Sequence, residues 1–475
     1  MAYGCTKPNI FVIRRALSYG FPSSVDEIIF EWRSSLSLAS YYGNPSAVEY
    51  LLQQHASVNK EGADGLTPLA HALTGLGGGV FADRNLTRHV ESILRLLKAG
   101  AEPKCQLPAS LLGETGLGTA VTAVIDAAVD GKLIPAYAQR LVENLVRKGA
   151  SPNGMGRSKV SPLRWAIRHY GVSGQLFHYL LNHGADPDFP GHSGTPCTAL
   201  AEAIRQDNVT AMEHLISHGA IINPTTYQGF PLACAIARQK LASLAALLRH
   251  AADPNAVDMT RRPQPGGAVH YRMTCVSFAV WKTHFTEMGR RILEHLLRFG
   301  ADPNIRDVRG SPTLYYALIL PSARSLEITD LLLNRGADPN EQTYSTNGTP
   351  LVVATRAHAF RPIWLKEDDA RKFTEQATAS NRVAVVKRLL DAGADVNQPS
   401  NVQGRLTSPL EAALTTPYFP TDQESTCVTG ASMDYFMLHM LWLSGPQNPA
   451  FRRSSPSLYR ASQIFRRRTI WFPSC

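Results

Sequence analysis

A nine-residue pattern that recurs along the chain constrains its fold more than any other feature. It reads Leu-Leu-x-x-Gly-Ala-x-Pro/Val-Asn, and residues 180–188 are one copy. Self-similarity at a period of about 33 to 50 residues is typical of repeat arrays, in which each unit packs on the next. The pattern therefore predicts many small stacked units. Its last position falls at Asn59, Lys104, Asn153, Asp188, Asn223, Asn255, Asn304, Asn340 and Asn397.

A second anchor precedes six of these copies and predicts the start of a helix. It is a Ser or Thr followed by Pro, or a close variant. The hydroxyl caps free amide groups, and Pro at the first helical position lacks the N–H group that would go unsatisfied. Copies begin at Thr67, Ser161, Thr198, Phe230, Ser311 and Thr349.

The Gly of the main pattern predicts where a second helix ends, because only Gly adopts the left-handed conformation without strain. The Asp-Pro-Asn that follows predicts a turn in which Asn or Asp bonds back to the backbone. His183, His218 and His250 occupy the slot before the Gly or its substitute. We expect them to cap helix carbonyls there rather than bind metal. Each unit is thus helix, tight turn, helix and hairpin-like loop.

These two anchors in register resemble the ankyrin repeat family. The resemblance implies an all-α ankyrin-repeat solenoid of about ten helix-turn-helix units with hairpin-like loops. The sequence departs from the family pattern at several positions. His55 and Ala251 replace the helix-ending Gly, and Lys104 and Asp188 replace the loop Asn. The usual His after Thr-Pro-Leu is replaced by Ala70, Arg164, Ala201 and Val352.

Three regions follow from the positions of the repeats. Residues 1–33 predict an N-terminal helical cap with helices at Ile10–Ser18 and about Val25–Trp32. Residues 34–446 predict the repeat array, whose tenth unit starts at Ser408, and residues 447–475 predict a basic, disordered tail. Long insertions are expected near residues 74–88, 256–271, 356–381 and 415–432.

Composition and cysteine usage bear on the compartment. No run of 18 apolar residues is present, the first residues lack the apolar core of a signal peptide, and seven cysteines show no C-x-x-C spacing. An unpaired, scattered set of cysteines is typical of reduced thiols. We therefore expect no membrane insertion and an intracellular protein, cytoplasmic and/or nuclear.

The net charge of +10 is concentrated at the end of the chain. Six arginines and no acidic residue follow Ala450, so the repeat body is close to neutral. We therefore expect no nucleic-acid binding except through this tail. The six are Arg452, Arg453, Arg460, Arg466, Arg467 and Arg468.

The chain carries no Gly-x-Ser-x-Gly, His-Glu-x-x-His, Walker or Rossmann motif and no metal-spaced Cys/His cluster. We therefore expect no catalytic activity, no cofactor and no bound metal. The resemblance implies instead a monomeric scaffold or adaptor that binds a protein partner through a concave groove and its loop tips.

One variable position of the first helix faces the groove in the family pattern. Carried onto this sequence it gives candidate contact residues, and aromatic side chains among them are typical of interface hot spots. The alternative is that these side chains pack against the neighbouring repeat. The candidates are Trp165, Phe278, Tyr316, His71 and Glu202.

Two other functions stay open at this point. The tail arginines, with Arg466–Arg468 between Phe465 and Trp471, fit a nuclear regulatory protein that uses them for import or weak nucleic-acid contact. The N-terminal helix pair fits a substrate adaptor of a ubiquitin ligase.

Overall fold

The computed structural model describes most of the chain between residues 25 and 409, and every structural statement below concerns these residues. The described residues are 15, 18, 19, 25–30, 33–77, 86–104, 107, 118–170, 175–189, 198–224, 231–256, 273–307, 310–319, 324–342, 348–356, 379–402 and 405–409.

The chain divides into two compact units, Met1–Ile221 (unit 1) and Ile222–Cys475 (unit 2). In its described residues unit 1 has a short hairpin and ten helices. They are β1 (Ile28–Phe30), β2 (Arg33–Ser34), α1 (Ser35–Tyr41), α2 (Pro45–Gln53), α3 (Pro68–Gly77), α4 (Leu86–Lys98), α5 (Ala120–Val129), α6 (Pro135–Arg147), α7 (Pro162–Tyr170), α8 (Gln175–Asn182), α9 (Ala199–Gln206) and α10 (Val209–Ser217).

Unit 2 has eight helices in the described residues and ends in a second two-stranded antiparallel hairpin. Its elements are α11 (Pro231–Ala237), α12 (Leu241–Arg249), α13 (Cys275–Phe285), α14 (Glu287–Arg298), α15 (Thr313–Leu318), α16 (Ser325–Leu333), α17 (Pro350–Arg356), α18 (Ala379–Asp391), β3 (Ser400–Val402) and β4 (Arg405–Thr407).

The helices pack in consecutive pairs, each made of a first and a second helix. Within each unit, the first helix of one pair contacts the first helix of the next, as α5 contacts α7 and α7 contacts α9. Second helices contact each other in the same way, as α4 contacts α6 and α6 contacts α8. Each unit is therefore a helical repeat array, which confirms the predicted fold class.

The core of each array is built on the first Leu of the recurring pattern. This residue stands four positions before the helix-ending Gly or its substitute and is completely buried in all nine copies. Burying one such side chain contributes roughly 1.5–3 kcal/mol. The nine residues are Leu51, Leu96, Leu145, Leu180, Leu215, Leu247, Leu296, Leu332 and Leu389.

The same Leu also closes the end of the helix through its backbone. The carbonyl of Leu180 accepts the amide of Ala185 at 3.0 Å, and that of Leu215 accepts the amide of Ala220 at 3.0 Å. This bond needs a left-handed residue just before the Ala, and Gly184 has φ 83°. The predicted helix stop is confirmed.

Two helix ends form the same turn without Gly. His55 has φ 64° and Ala251 has φ 62°, which is strained for a residue with a Cβ atom. We predict that Ala251→Gly stabilises unit 2 by about 0.5–1 kcal/mol, measured by urea unfolding. Ala242→Gly, at an exposed position inside α12, is the matched control and should instead destabilise by up to about 1 kcal/mol. Equal signs for the two variants would contradict the assigned strain.

Capping hydrogen bonds confirm the predicted helix starts at Thr67 and Thr198. The start predicted at Ser311 is wrong by one residue, because α15 begins at Thr313 with Pro312 as its N-cap residue and has no side-chain cap. The Thr198 hydroxyl accepts the amide of Ala201 at 3.2 Å, and Thr67 accepts that of Ala70 at 3.3 Å. Thr119 and Thr122 form a reciprocal capping box at the start of α5.

The N-terminal region differs from its prediction. The prediction of a helix over about Val25–Trp32 is wrong, because Ile28–Phe30 forms β1 and pairs antiparallel with β2. Two isoleucines followed by a phenylalanine favour a strand over a helix. In the predicted helix Ile10–Ser18, only Arg15 and Ser18 are described.

Several predicted segments lie outside the described residues. They include most of the insertions at 74–88, 256–271 and 356–381, the whole of 415–432, the tenth unit beyond residue 409, and the tail 447–475 with Arg452, Arg453, Arg466, Arg467 and Arg468.

Candidate partner-binding surface

The loops between helix pairs contain a local hydrogen bond made by their first polar residue. The Asp302 carboxylate accepts the backbone amide of Asn304 at 2.8 Å, and Asp186 accepts that of Asp188 at 2.9 Å. In another loop the Ser151 hydroxyl accepts the amide of Asn153 at 3.2 Å. The turn chemistry predicted for Asp is confirmed.

The Asn of the recurring pattern does something different from its prediction. Its side chain bonds not to its own turn but to the end of the next helix pair. Asn153 donates to the Gly184 carbonyl at 3.0 Å and accepts the Asp186 amide at 2.7 Å. Asn304 likewise donates to the Gly336 carbonyl at 2.8 Å and accepts the Asp338 amide at 2.8 Å.

Five other loops have an inter-repeat contact of this kind, in whole or in part, and we call the set the loop clamps. The hydrogen bonds of each loop clamp lie within unit 1 or within unit 2. Because each clamp fixes a loop to its neighbour, the exposed loop tips are held in a fixed order along the array. The other five clamp residues are Asn59, Asp188, Asn223, Asn255 and Asn340.

Asp188 forms only half of a clamp. Its carboxylate accepts the Ile221 amide at 2.8 Å, but it cannot donate to a carbonyl as Asn does. Burial raises the pKa of Asp188 most, the Ile221 amide lowers it less, and Asp186 adds to the rise. Keeping the Asp188 carboxylate ionised in the folded protein therefore costs folding free energy.

We predict that Asp188→Asn stabilises unit 1 by about 0.5–1.5 kcal/mol, because the amide supplies the missing donor. The raised folded pKa of Asp188 means that the wild-type protein loses stability as pH rises through that pKa, and the variant lacks this loss. Thermal melts between pH 3 and 8 measure both effects. The reverse change at a complete clamp, Asn153→Asp, should destabilise by a similar amount, and a gain there would contradict the assignment.

The five predicted groove residues are all buried, with at most 8% of any residue exposed. This burial matches the alternative that they pack inside the array. The Trp165 ring lies 5.0 Å from that of His169, and the Lys282 ammonium lies 5.6 Å from the Phe278 ring. The Tyr316 hydroxyl donates to the buried Asp307 carboxylate.

His71 is also buried and lies beside an acid. Its Nε2 atom is 3.4 Å from an oxygen of Asp64. Burial lowers the pKa of His71 more than the nearby Asp64 raises it, and Arg33 lowers it further. The lowered pKa favours the neutral form of the His71 ring.

Glu202 lies under two arginines at the ends of two neighbouring first helices. Arg168 of α7 contacts it through Nε at 3.4 Å and Nη2 at 3.3 Å. Arg205 contacts it through Nε at 3.1 Å and also through Nη2. Burial raises the pKa of Glu202, but the bonds from Arg205 and Arg168 outweigh it and lower the pKa overall. The carboxylate is thus ionised, and the triad carries a net positive charge.

A second triad of one acid and two basic residues lies at the end of α5. Asp130 accepts a hydrogen bond from Arg157 at 2.7 Å and is 3.4 Å from the Lys132 ammonium. The Lys132 ammonium also donates to the Gly77 carbonyl at 2.5 Å. Arg157 belongs to the loop that leads into α7.

The predicted histidine caps are confirmed at two helix ends. The His183 ring is 2.8 Å from the Tyr179 carbonyl, and the His218 ring is 2.8 Å from the His214 carbonyl. Among the residues that the structure describes, no three His, Cys, Asp or Glu side chains form a metal-binding group. No helix in this part of the chain is long and apolar enough to cross a membrane.

Sequence reasoning selected Glu202 but missed the groups around it. Arg205 follows Glu202 by three residues on one helix, and this spacing signals a contact. Arg168 stands one repeat earlier, where the array brings it to the same carboxylate. The triad of Asp130 had no comparable signal, because Arg157 reaches it from an irregular loop.

Residues 163–258 match the family model of ankyrin repeats in three copies. No curated protein sequence matches the chain. Many solved structures are similar to it, among them two ankyrin repeat domains. The ankyrin repeat domain of Bcl-3, a member of the IkappaB protein family, is 21% identical, with 53% of this chain and 97% of that chain covered and a TM-score of 0.38. The human ASB11 ankyrin repeat domain is 18% identical, with 65% and 100% covered and a TM-score of 0.32.

Proposed function

Because the chain is an ankyrin repeat protein, we propose that it binds a protein partner through its exposed loop tips and the adjoining ends of its first helices. Ankyrin repeats are in general non-catalytic modules for protein–protein interaction. In this proposal the chain is a monomeric scaffold or adaptor.

The loop clamps are the observation that supports this proposal most. Asn153 and Asn304 each tie one loop to the next through two hydrogen bonds. A surface that is ordered before binding loses less conformational freedom when a partner docks, so more of the contact energy appears as affinity. An array of pre-ordered tips is therefore suited to recognition.

In this proposal the five buried candidate residues pack beneath the exposed side chains that contact the partner. Trp165 and Glu202 pack directly under Arg168 and His169, whose side chains are exposed. Tyr316, Phe278 and His71 are equally buried. Direct partner contact by these five side chains stays a prediction, and we assign the outer contacts to their exposed neighbours.

Affinity purification with mass spectrometry tests the proposal on three forms of the protein. They are the intact chain, a chain that ends at Pro446, and the intact chain with Asn153→Ala and Asn304→Ala. We expect the first two to capture the same proteins and the clamp variant to capture much less of them. Arg140→Gln, an exposed change on the second helix α6, is the control and should leave capture unchanged. Capture that depends on residues 447–475 alone would overturn the proposal.

The nuclear alternative is supported by the six arginines and the missing acids after Ala450. Deleting residues 447–475 should move the protein from nucleus to cytoplasm if the tail acts as an import signal. The ubiquitin-ligase alternative relied on an N-terminal helix pair, and β1 occupies the position of the second helix. No described residue otherwise favours it.

A further inference from the structure

The C-terminal ends of α5, α7 and α9 carry two triads, in each of which two cations contact one carboxylate. Lys132, Arg157, Arg168 and Arg205 contact two carboxylates between them, those of Asp130 and Glu202. Since α5 packs on α7 and α7 on α9, the two triads follow one another along the same end of unit 1. We call the four cationic side chains the basic edge.

We propose that the basic edge is a docking site for an acidic peptide segment of the protein partner. This inference rests on the proposed function and names the chemistry of one part of the binding surface.

The exposure of the cations is consistent with docking. The side chains of Arg157, Arg168 and Arg205 are 47%, 39% and 41% exposed, whereas Glu202 is 4% exposed. The buried carboxylate thus orients two guanidinium groups without being accessible itself. Arg168 and Arg205 each use Nε and Nη2 on Glu202, which leaves Nη1 for another acceptor. Guanidinium groups held in one orientation are suited to carboxylate recognition.

Helix chemistry alone does not account for two cations on each of these carboxylates. Cations near a helix C-terminus offset the negative end of the helix dipole and contribute a modest stabilisation. Unit 2 carries its largest described ion cluster at helix N-termini, where Arg290 contacts Glu287, Glu294 and Glu327, and Arg324 contacts Glu287. Three acids face two arginines there. The other described pairs of unit 2, Arg306–Glu341 and Arg388–Asp330, are balanced.

The test uses the full-length protein and a labelled 12-residue peptide of alternating Ala and Glu with a photoreactive group at its centre. The edge variant carries Arg157→Gln, Arg168→Gln, Glu202→Gln and Arg205→Gln. Replacing Glu202 together with its arginines avoids a buried carboxylate without a partner, so the variant should fold, and circular dichroism checks this. Arg140→Gln is the control because it removes one exposed arginine elsewhere in unit 1.

We expect the edge variant to bind the peptide about tenfold more weakly than the wild-type protein and the control. Photo-crosslinks in the wild-type protein should fall within residues 130–206 and disappear in the variant, and a peptide with Gln in place of Glu should not bind. Unchanged affinity in the variant, crosslinks confined to residues 447–475, or stronger binding of a 12-residue thymidine oligonucleotide would each overturn the inference.

The two proposals fail in different ways. If affinity purification from cells recovers the same partner with the edge variant as with the wild-type protein, the docking inference is wrong and the proposed function stands. If the peptide binds at the basic edge but no protein is recovered with any form of the chain, the proposed function is wrong.

Discussion

Leu215→Asp is expected to unfold α9 and α10 together with the neighbouring pair α7 and α8. Leu215 is completely buried, and its backbone carbonyl closes the end of α10. The substitution removes a large apolar side chain and places a carboxylate where no cation is provided, so we expect a loss of about 4 kcal/mol or more. In a repeat array each helix pair is stabilised by the pairs beside it, so the loss of stability spreads beyond one helix pair.

Amide hydrogen exchange followed by mass spectrometry measures which helices lose protection. The ring of His214 lies 4.6 Å from that of His178, and α7 packs on α9, so protection should fall in α7 and α8 as well. Thr210→Asp is the control, because Thr210 is exposed in the first turn of the same helix and tolerates a negative charge. Loss of protection confined to α10 would contradict coupling between pairs, and an unchanged melt would contradict the burial of Leu215.

The elements that depend on local chemistry could be predicted from the sequence. The burial of Leu180, the left-handed turn at Gly184 and the cap at Thr198 each depend on residues within a few positions of one another. Repetition strengthens such signals, because the same residues recur in register many times. The all-α class and the ends of most helices followed from them.

Contacts between repeats could not be predicted in the same way. The Asn153 side chain bonds to residues 31 and 33 positions away, while the sequence suggested a bond within its own turn. Both uses need an amide at the same place, so the residue type does not distinguish them. The strand β1 is a related case, because its three residues favour a strand but form one only by pairing with β2.

The depth of a side chain is a further property that repeat position does not determine. Trp165 and Glu202 occupy a variable position that the family pattern places toward the groove, yet each is nearly inaccessible. Trp165 is buried in the helix packing, and Glu202 is contacted by the guanidinium groups of two arginines that the array brings together. The exposed polar groups at this position are therefore those of Arg168 and Arg205, not those of the predicted residues.

Asp126→Ala is the second substitution for which we expect a large effect. Asp126 is 1% exposed on α5, and its carboxylate accepts the backbone amides of Arg157 at 2.8 Å and Ser158 at 2.9 Å. The loop lies so close that a Cβ atom on Gly156 would stand 2.3 Å from a carboxylate oxygen. Alanine would leave two amides without their charged acceptor, at a cost of about 2–4 kcal/mol. Asp126→Asn keeps one oxygen acceptor and should cost less.

Urea unfolding measures the stability loss, and hydrogen exchange at the amides of Arg157 and Ser158 locates it. Asp130→Ala is the control, because Asp130 lies four residues away on the same helix, is half-exposed, and should change stability little. Arg157 belongs to both this loop and the basic edge. Asp126→Ala should therefore also weaken binding of the acidic peptide, although the substitution removes no cation. Equal losses of stability for Asp126→Ala and Asp130→Ala would show that the buried carboxylate does not hold the loop. Tight peptide binding by a destabilised Asp126→Ala protein would show that the position of Arg157 is not part of recognition.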